Sequence, residues 1–421
     1  MAHGWLSLAL LSLSLAGCAT SSPCGRDCHP DVPGRTVEVL PVCGRSELET
    51  TSNAGTLLAA YAETLGKPRA IAVYRQLSVR ECQCLAVEAS PLGNLLDQES
   101  QLSIQQAKAR KIGRNKAQQA AGLKVQMLTY LAQEDRNRSA GRALDAYYNL
   151  GEAEAGADIL QLSLTQVTNA LATARTLKSK GLPADDTSLY RQQLDLQARG
   201  ARLQVRTQQL NSELRTLLGF EPCPADWQFS PVDAFHLRTN RLDADEAVAF
   251  GMARRPELLL LRLLEDELCA GNLDAIGKQL HALNAALGQP PAHCPKLQQL
   301  LTKLCGSSDG EREIRQQQVS EYRASRERAV AEEIRQAVRT VQGQTEVVVL
   351  TVQRADSWRA RVKEAEEKEA KGAASFVETT EAKVEWYKAR RDVVSEITRL
   401  QRARVQVRQA QGVLPSECHG G

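Results

Sequence analysis

Apolar residues recur in alternating steps of three and four along a central part of the chain. Ten such positions follow one another: Ala143, Ala146, Leu150, Ala153, Ala157, Leu160, Leu164, Val167, Leu171 and Ala174. This spacing puts all the apolar side chains on one face of a helix, as in the seam of a coiled coil. We predict one long helix that ends at Lys180-Gly181-Leu182-Pro183, because Gly suits the position after a helix and Pro cannot continue it.

A second helix is predicted to run back along the first and to end at Gly219. Its leucines recur every seven residues at Leu189, Leu196, Leu203, Leu210 and Leu217. The same plan returns with Ile334, Val338, Val341, Val348, Val352, Ala355 and Val362, a break at Lys371-Gly372, and then Trp386, Val393, Leu400, Val407 and Leu414. Because 191 residues separate Gly181 from Gly372, we interpret the chain as an internal duplication of two antiparallel helical hairpins. Two unrelated hairpins of similar length are the alternative.

Composition supports long helices rather than a core rich in aromatic residues. Only 4% of the 421 residues are aromatic, against 43% hydrophobic and 24% charged.

Self-association through the Ala-rich seam from 143 to 174 is expected, because two hairpins leave apolar stripes to cover. The net charge of +3 gives no reason to expect nucleic-acid binding. No apolar run reaches the roughly 18 residues that a membrane-spanning helix needs.

The amino terminus has the features of an export signal. Leu6 to Leu15 form a short apolar run, which ends in Leu15-Ala16-Gly17-Cys18. This ending resembles a bacterial lipobox, in which the Cys is lipidated and becomes the first residue of the mature protein. We therefore predict a lipoprotein signal peptide at 1–17, lipidation of Cys18 and a Cys/Pro-rich tether at 18–45. An ordinary cleaved signal is the alternative.

The ten other cysteines would then lie in an oxidising compartment, where disulfides are plausible. Their connectivity cannot be read from the sequence. Cys24 and Cys28-His29 lack the spacing of a haem attachment site, and Cys82-Gln83-Cys84 alone is a weak metal signal. The chain also contains no phosphate-binding loop, nucleophile elbow or dinucleotide fingerprint. We therefore expect a protein that is not an enzyme and has no cofactor or metal.

Several short motifs resemble the TolC family of outer-membrane efflux proteins. Arg255-Pro256-Glu257-Leu258 resembles the signature that opens the second repeat of that family, and Tyr147-Tyr148 fits the first repeat. The turn from Gly372 through Phe376 and Glu378 to Ala382 also matches. The resemblance implies a first repeat at 46–219, a linker at 220–245, a second repeat at 246–414 and a tail at 415–421. It further implies a trimer, anchored by lipid in the outer membrane, with a membrane-fusion adaptor as partner.

The resemblance also assigns roles to the two turns. Gly181, Leu182, Gly372 and Ala373 would dock the adaptor, and Asp185, Asp186 and Glu378 would form an acidic entrance. A simpler interpretation of the three acids is that they stabilise the amino termini of the helices that follow.

One departure from the family concerns its long β-strands, which precede the coiled-coil helices in each repeat. The corresponding stretches here would lie between Cys84 and Gly141 and between Cys269 and Glu311. The first contains the basic, helix-prone segment from Gln105 to Lys116, and the second has no aromatic residue from 271 to 310. We therefore predict an all-α fold of tandem hairpins with little or no β-barrel. The chain would be the outer-membrane component of an efflux or secretion system, forming a periplasmic helical conduit. The alternative is a structural or scaffolding coiled-coil lipoprotein that has lost the channel.

Overall fold

In the residues that the structure describes, two copies of one arrangement follow each other, each a short strand, two short helices and a long helical hairpin. The computed structural model describes residues 73–109, 114–184, 186–220, 227–236, 242–269 and 309–418. The first copy contains β1 (Val73–Leu77), α1 (Val79–Glu88), α2 (Pro91–Ala109), α3 (Arg114–Ser179) and α4 (Asp186–Leu217). The second contains β2 (Trp227–Pro231), α5 (Ala244–Arg254), α6 (Pro256–Cys269), α7 (Asp309–Ala370) and α8 (Phe376–Ala410). A 3-10 turn follows at Ser416–Cys418. The predicted all-α fold of tandem helical hairpins is confirmed, and the short strands β1 and β2 are an addition to it.

The four long helices lie side by side in the order α4, α3, α8, α7. Each hairpin packs its two helices together, and α3 joins the copies by packing along α8. Near one end of this contact, Asn137 donates a 2.8 Å hydrogen bond to the Gln409 carbonyl. Near the other end, Phe376 packs against a cluster that includes Ala174. The helices α3 and α8 are therefore antiparallel, and both hairpins point the same way.

The predicted seam from 143 to 174 is buried inside the chain. Eight of its ten residues are buried. Leu160, for example, belongs to a cluster with Leu196 of α4 and Val384 of α8. The expectation that this seam drives self-association is therefore wrong, because two helices of the same chain already cover it.

Each copy also has a column of two helices placed end to end. A Cβ on Gly219, just after α4, would lie 2.8 Å from the Ala89 Cβ, just before α2. A Cβ on Gly412, just after α8, would lie 2.7 Å from the Pro256 Cδ at the start of α6. Since α2 packs on α3 and α6 packs on α7, α2 extends the line of α4 and α6 extends that of α8.

The strands were not predicted from the sequence. β1 and β2 form a parallel pair, with Val73 opposite Trp227 and Leu77 opposite Pro231. Leu77 of β1 and Phe229 of β2 are fully buried. β2 lies within the stretch 220–245, which was expected to be a linker. Its pairing partner is 154 residues away in the chain, so no local pattern indicates the pairing.

Helices occupy the first stretch in which the family has long strands. Between Cys84 and Gly141 the described residues belong almost entirely to α1, α2 and α3, as the helix-prone pattern predicts. Residues 110–113 and most of the second stretch, 270–308, lie outside the described residues. Across the described ranges, every helix is too short or too polar to cross a lipid bilayer.

The Arg255-Pro256-Glu257 motif joins the second copy together. Arg255 Nη1 donates a 2.8 Å hydrogen bond to the Ala410 carbonyl at the end of α8. The two carboxylate oxygens of Glu257 accept bonds of 2.7 and 3.0 Å from Arg326 of α7. This two-point contact raises the pKa of the Arg326 guanidinium. The motif thus ties α6 to both long helices of its copy.

Candidate docking site at the paired turns

The first helical turn has a backbone that only Gly adopts without strain. Gly181 has φ of +78°, and its N–H donates to the Lys178 carbonyl at 3.0 Å. The Leu182 N–H bonds the Leu177 carbonyl at 3.0 Å. These two bonds are those of a Schellman motif, which satisfies the last free carbonyls of α3. Leu182 is 52% exposed, so an apolar side chain projects from the turn.

The second turn repeats this geometry. Gly372 has φ of +69°. Its N–H bonds the Glu369 carbonyl at 2.9 Å, and the Ala373 N–H bonds the Lys368 carbonyl at 2.8 Å. Ser375 then caps α8, because its Oγ accepts a 3.2 Å bond from the Glu378 N–H. No atom lies within 4 Å of a Cβ built on either Gly181 or Gly372, so backbone conformation alone requires glycine there.

The two turns lie together at one end of the molecule. Ala184 follows the first turn and Phe376 follows the second, and both pack against one buried cluster. That cluster consists of Ala170, Leu171, Ala174 and Leu189. The two turns therefore point the same way, as a duplication of the hairpin requires. Together the turns form one surface that carries Gly181, Leu182, Gly372 and Ala373.

The acidic residues at the turns differ in their surroundings. Asp186, at the first position of α4, accepts a 2.7 Å bond from Lys178 Nζ, and this bond lowers the pKa of its carboxyl. Glu378 lies at the third position of α8 and is exposed. Its negative charge there interacts favourably with the dipole of the helix. Asp185 and Cys18 lie outside the described residues. The sequence did not single out Lys178 or Ser375, although Ser375-Phe-Val-Glu378 is a capping-box pattern.

The two edges of the helix row carry exposed apolar side chains. On the first edge these are Leu95 and Leu102 of α2 and Tyr190, Leu194 and Val205 of α4. On the second edge they are Ile314, Val347, Val349 and Leu350 of α7. At about 100° per residue, Leu194 and Val205 lie on the side of α4 opposite Leu189 and Leu196, which face α3. We call these two sets the first edge and the second edge.

A cavity of about 250 Å³ lies far from the turns, near the other end of the α3–α8 contact. It is lined by Gly141, Arg142, Asp145, Glu213, Arg402, Val405, Gln406 and Gln409. Arg402 and Asp145 form an ion pair there, so the charged lining is partly neutralised. Within the described parts of the chain, His, Cys, Asp and Glu side chains form no group of three or more suited to a metal ion.

Comparison with known proteins gives structural rather than sequence matches. No family model and no curated relative matches the chain. The crystal structure of CusC, described in terms of transmembrane channel formation, matches 90% of this chain and 98% of its own, with a TM-score of 0.58 and 14% identity. The outer-membrane channel OprN matches the same shares with a TM-score of 0.57 and 14% identity.

Two further matches come from named bacteria. The outer-membrane channel CmeC of Campylobacter jejuni matches 79% of this chain and 85% of its own, with a TM-score of 0.57 and 10% identity. The channel MtrE of Neisseria gonorrhoeae, in its open state, also matches 79% of this chain, with a TM-score of 0.57 and 12% identity. All four matched structures are described as channels. The predicted resemblance is confirmed at the level of the fold: this chain has the fold of TolC-family outer-membrane channels.

Proposed function

We propose that this protein is the outer-membrane component of an efflux or secretion system, and that several copies assemble into a periplasmic helical conduit. The observation that carries the proposal is the open row of four long helices, whose two edges expose apolar side chains. An isolated row leaves these edges in water, whereas a closed ring of rows covers them. Three copies are expected from the resemblance.

Exposed apolar residues of the two edges lie at the same distance from the turns. Val205 lies 19 residues after the first residue of α4, and Leu350 lies 20 residues before the last residue of α7. At 1.5 Å per residue both are about 30 Å from the turns. Leu350, at 64% exposure, would therefore meet the first edge of a second copy near Val205.

The assembly is tested by measuring the mass of the detergent-solubilised protein by light scattering and its conductance in planar bilayers. The wild type is expected to be an oligomer that conducts. Leu350→Asp and Val205→Asp should give monomers of unchanged helix content, because each puts a charge into an apolar contact. Thr165→Asp is the matched control, since it adds the same charge at an exposed polar site of α3, which lies in the middle of the row and at neither edge. A monomeric wild type would contradict the conduit.

The second candidate function is a scaffolding lipoprotein without a channel. It is favoured by the helices between Cys84 and Gly141, the stretch in which the family has long β-strands. There, only residues 110–113 separate α2 from α3. This candidate predicts an oligomer of the same mass without conductance. The conductance measurement therefore separates the two functions, and the mass measurement alone does not.

A lipid anchor at Cys18 is part of both candidate functions. The support is the lipobox-like sequence Leu15-Ala16-Gly17-Cys18 after an apolar run. Several acyl chains anchor a protein stably, whereas one gives only marginal binding. Cys18→Ser should abolish palmitate labelling and release the protein from membranes, with Cys82→Ser as the control. Undiminished labelling of Cys18→Ser would exclude this anchor.

A further inference from the structure

The last eight described residues form a segment that returns from the end of the second copy to the start of the first. Within this segment, Val413 and Leu414 are buried, and Leu414 packs among the residues around α1. Its last residue, Cys418, forms a disulfide with Cys84 of α1, with the two Cα atoms 5.3 Å apart. This bond spans 334 residues of sequence and so closes nearly the whole tandem repeat. We call residues 411–418 the C-terminal clasp.

A polar network holds the clasp in place beside the disulfide. Gln83, whose side chain is buried, donates to the Leu414 carbonyl at 2.7 Å and to the Glu417 carboxylate at 2.9 Å. Its Oε1 accepts a 2.7 Å bond from Arg408 at the end of α8. Arg408 is also paired with Glu417. The side-chain amide of Gln83 thus makes three hydrogen bonds, which hold the segment that carries Cys418 next to Cys84.

The two cysteines of the Cys82-Gln83-Cys84 motif on α1 differ in burial, and Cys84 is the one that forms the disulfide. Cys82 is fully buried, and its Sγ lies 3.6 Å from the Ala143 carbonyl. Burial raises the pKa of the Cys82 thiol, so little of the reactive thiolate forms. Cys84 and Cys418 are half-buried and lie at the surface.

We propose that Cys84 and Cys418 are a redox clasp, closed by a thiol–disulfide oxidant after export, and that Gln83 is its positioning residue. Two thiols lose two protons and two electrons, and the disulfide of the oxidant is reduced to two thiols. Because the cytoplasm keeps thiols reduced, the clasp stays open there and its apolar residues can leave α1. Cys418 lies 334 residues after Cys84, so the clasp closes only once both copies of the repeat have been exported.

The proposal is tested on the full-length chain by alkylation before and after reduction, followed by peptide mass spectrometry. The exported protein should yield a Cys84–Cys418 linked peptide, and the same chain retained in the cytoplasm without residues 1–17 should not. After reduction of the folded protein, Cys84 and Cys418 should alkylate while Cys82 stays protected. Cys82→Ser should leave the linked peptide unchanged. An exported chain in which Cys84 is free, or is joined to another cysteine, would overturn the proposal.

The role of Gln83 is tested by equilibrating the protein with a glutathione redox buffer. Gln83→Leu removes hydrogen bonds to a charged group and should lower the equilibrium constant for disulfide formation by about tenfold. Gln76→Leu is the control, because Gln76 is an exposed glutamine of the neighbouring strand β1. Equal equilibrium constants for Gln83→Leu and wild type would show that Gln83 does not position the clasp. These experiments measure only whether the cysteines are thiols or disulfides, so their outcome does not depend on assembly into a conduit.

Discussion

Gly412 meets Pro256 so closely that a Cβ on the glycine would lie 2.7 Å from the proline Cδ. The first copy has the equivalent contact between Gly219 and Ala89. Both glycines also have positive φ, +74° in each case, and both end a long hairpin with the same pair of hydrogen bonds as the outer turns. The four glycines therefore share one backbone conformation but differ in the space around them.

This difference predicts two classes of Gly→Ala substitution. At Gly181 and Gly372 the added methyl group meets nothing, so only the left-handed backbone is strained, at a cost of about 1–2 kcal/mol. At Gly219 and Gly412 the methyl group also overlaps a residue of the neighbouring column, Ala89 or Pro256, so a further cost of about 1–3 kcal/mol is expected. Urea unfolding of the four single variants measures the free energies. Equal losses at all four sites would contradict the close contact between the helix columns.

The contact between Glu257 and Arg326 predicts a measurable contribution to stability. Glu257→Gln keeps the shape of the side chain but removes the charge that faces a partly buried guanidinium. We expect a loss of about 1–3 kcal/mol in the free energy of unfolding. Glu364→Gln, which breaks an exposed pair with Lys368, is the control and should change little. If both variants unfold at the same urea concentration, the Arg255-Pro256-Glu257 motif does not hold the second copy together.

Glu134 predicts a dependence of stability on pH. Burial raises the pKa of its carboxyl, although Arg138 beside it and the more distant Arg255 lower it, while Glu257 raises it. The folded protein therefore binds this proton more tightly than the unfolded chain does. Between the unfolded and the folded pKa, stability falls as pH rises, because the buried group must ionise. Above the folded pKa the full penalty remains.

Glu134→Gln removes this titration and serves as the test. The difference in unfolding free energy between Glu134→Gln and wild type should shift in favour of the variant as pH rises from 4.5 through the folded pKa. Denaturant unfolding at several pH values measures it. Glu99→Gln is the control, because the side chain of Glu99, which pairs with Lys124, is more exposed than that of Glu134. A constant difference for Glu134→Gln would mean that Glu134 titrates normally in the folded protein.

The paired turns predict the position of adaptor contacts. A photo-crosslinking residue in place of Leu182 or Ala373 should capture a co-expressed membrane-fusion adaptor, because both positions are exposed on the same end surface. The same residue in place of Val232, next to β2 and away from the turns, is the control. Crosslinks at Val232 but not at the turns would place docking elsewhere.

Local features of the sequence determined the long helices and their turns. The steps of three and four residues fix which side chains face a neighbouring helix, and Gly181 and Gly372 fix where each helix ends, because both effects act within a few residues. The spacing also indicated the duplication. It did not indicate what covers the seam, and the expectation that a second copy does so was wrong, since Leu196 and Val384 of the same chain lie there.

Only the tertiary structure decided which distant parts meet. The pairing of β1 with β2, the packing of α3 on α8 and the bond between Cys84 and Cys418 join residues that are more than 150 positions apart. A five-residue strand or a single cysteine carries no mark of its partner, because the partner is chosen by the packing of the whole molecule. For the same reason the sequence named the residues of both turns, but the structure was needed to bring Ala184 and Phe376 onto one cluster and so make the turns a single surface.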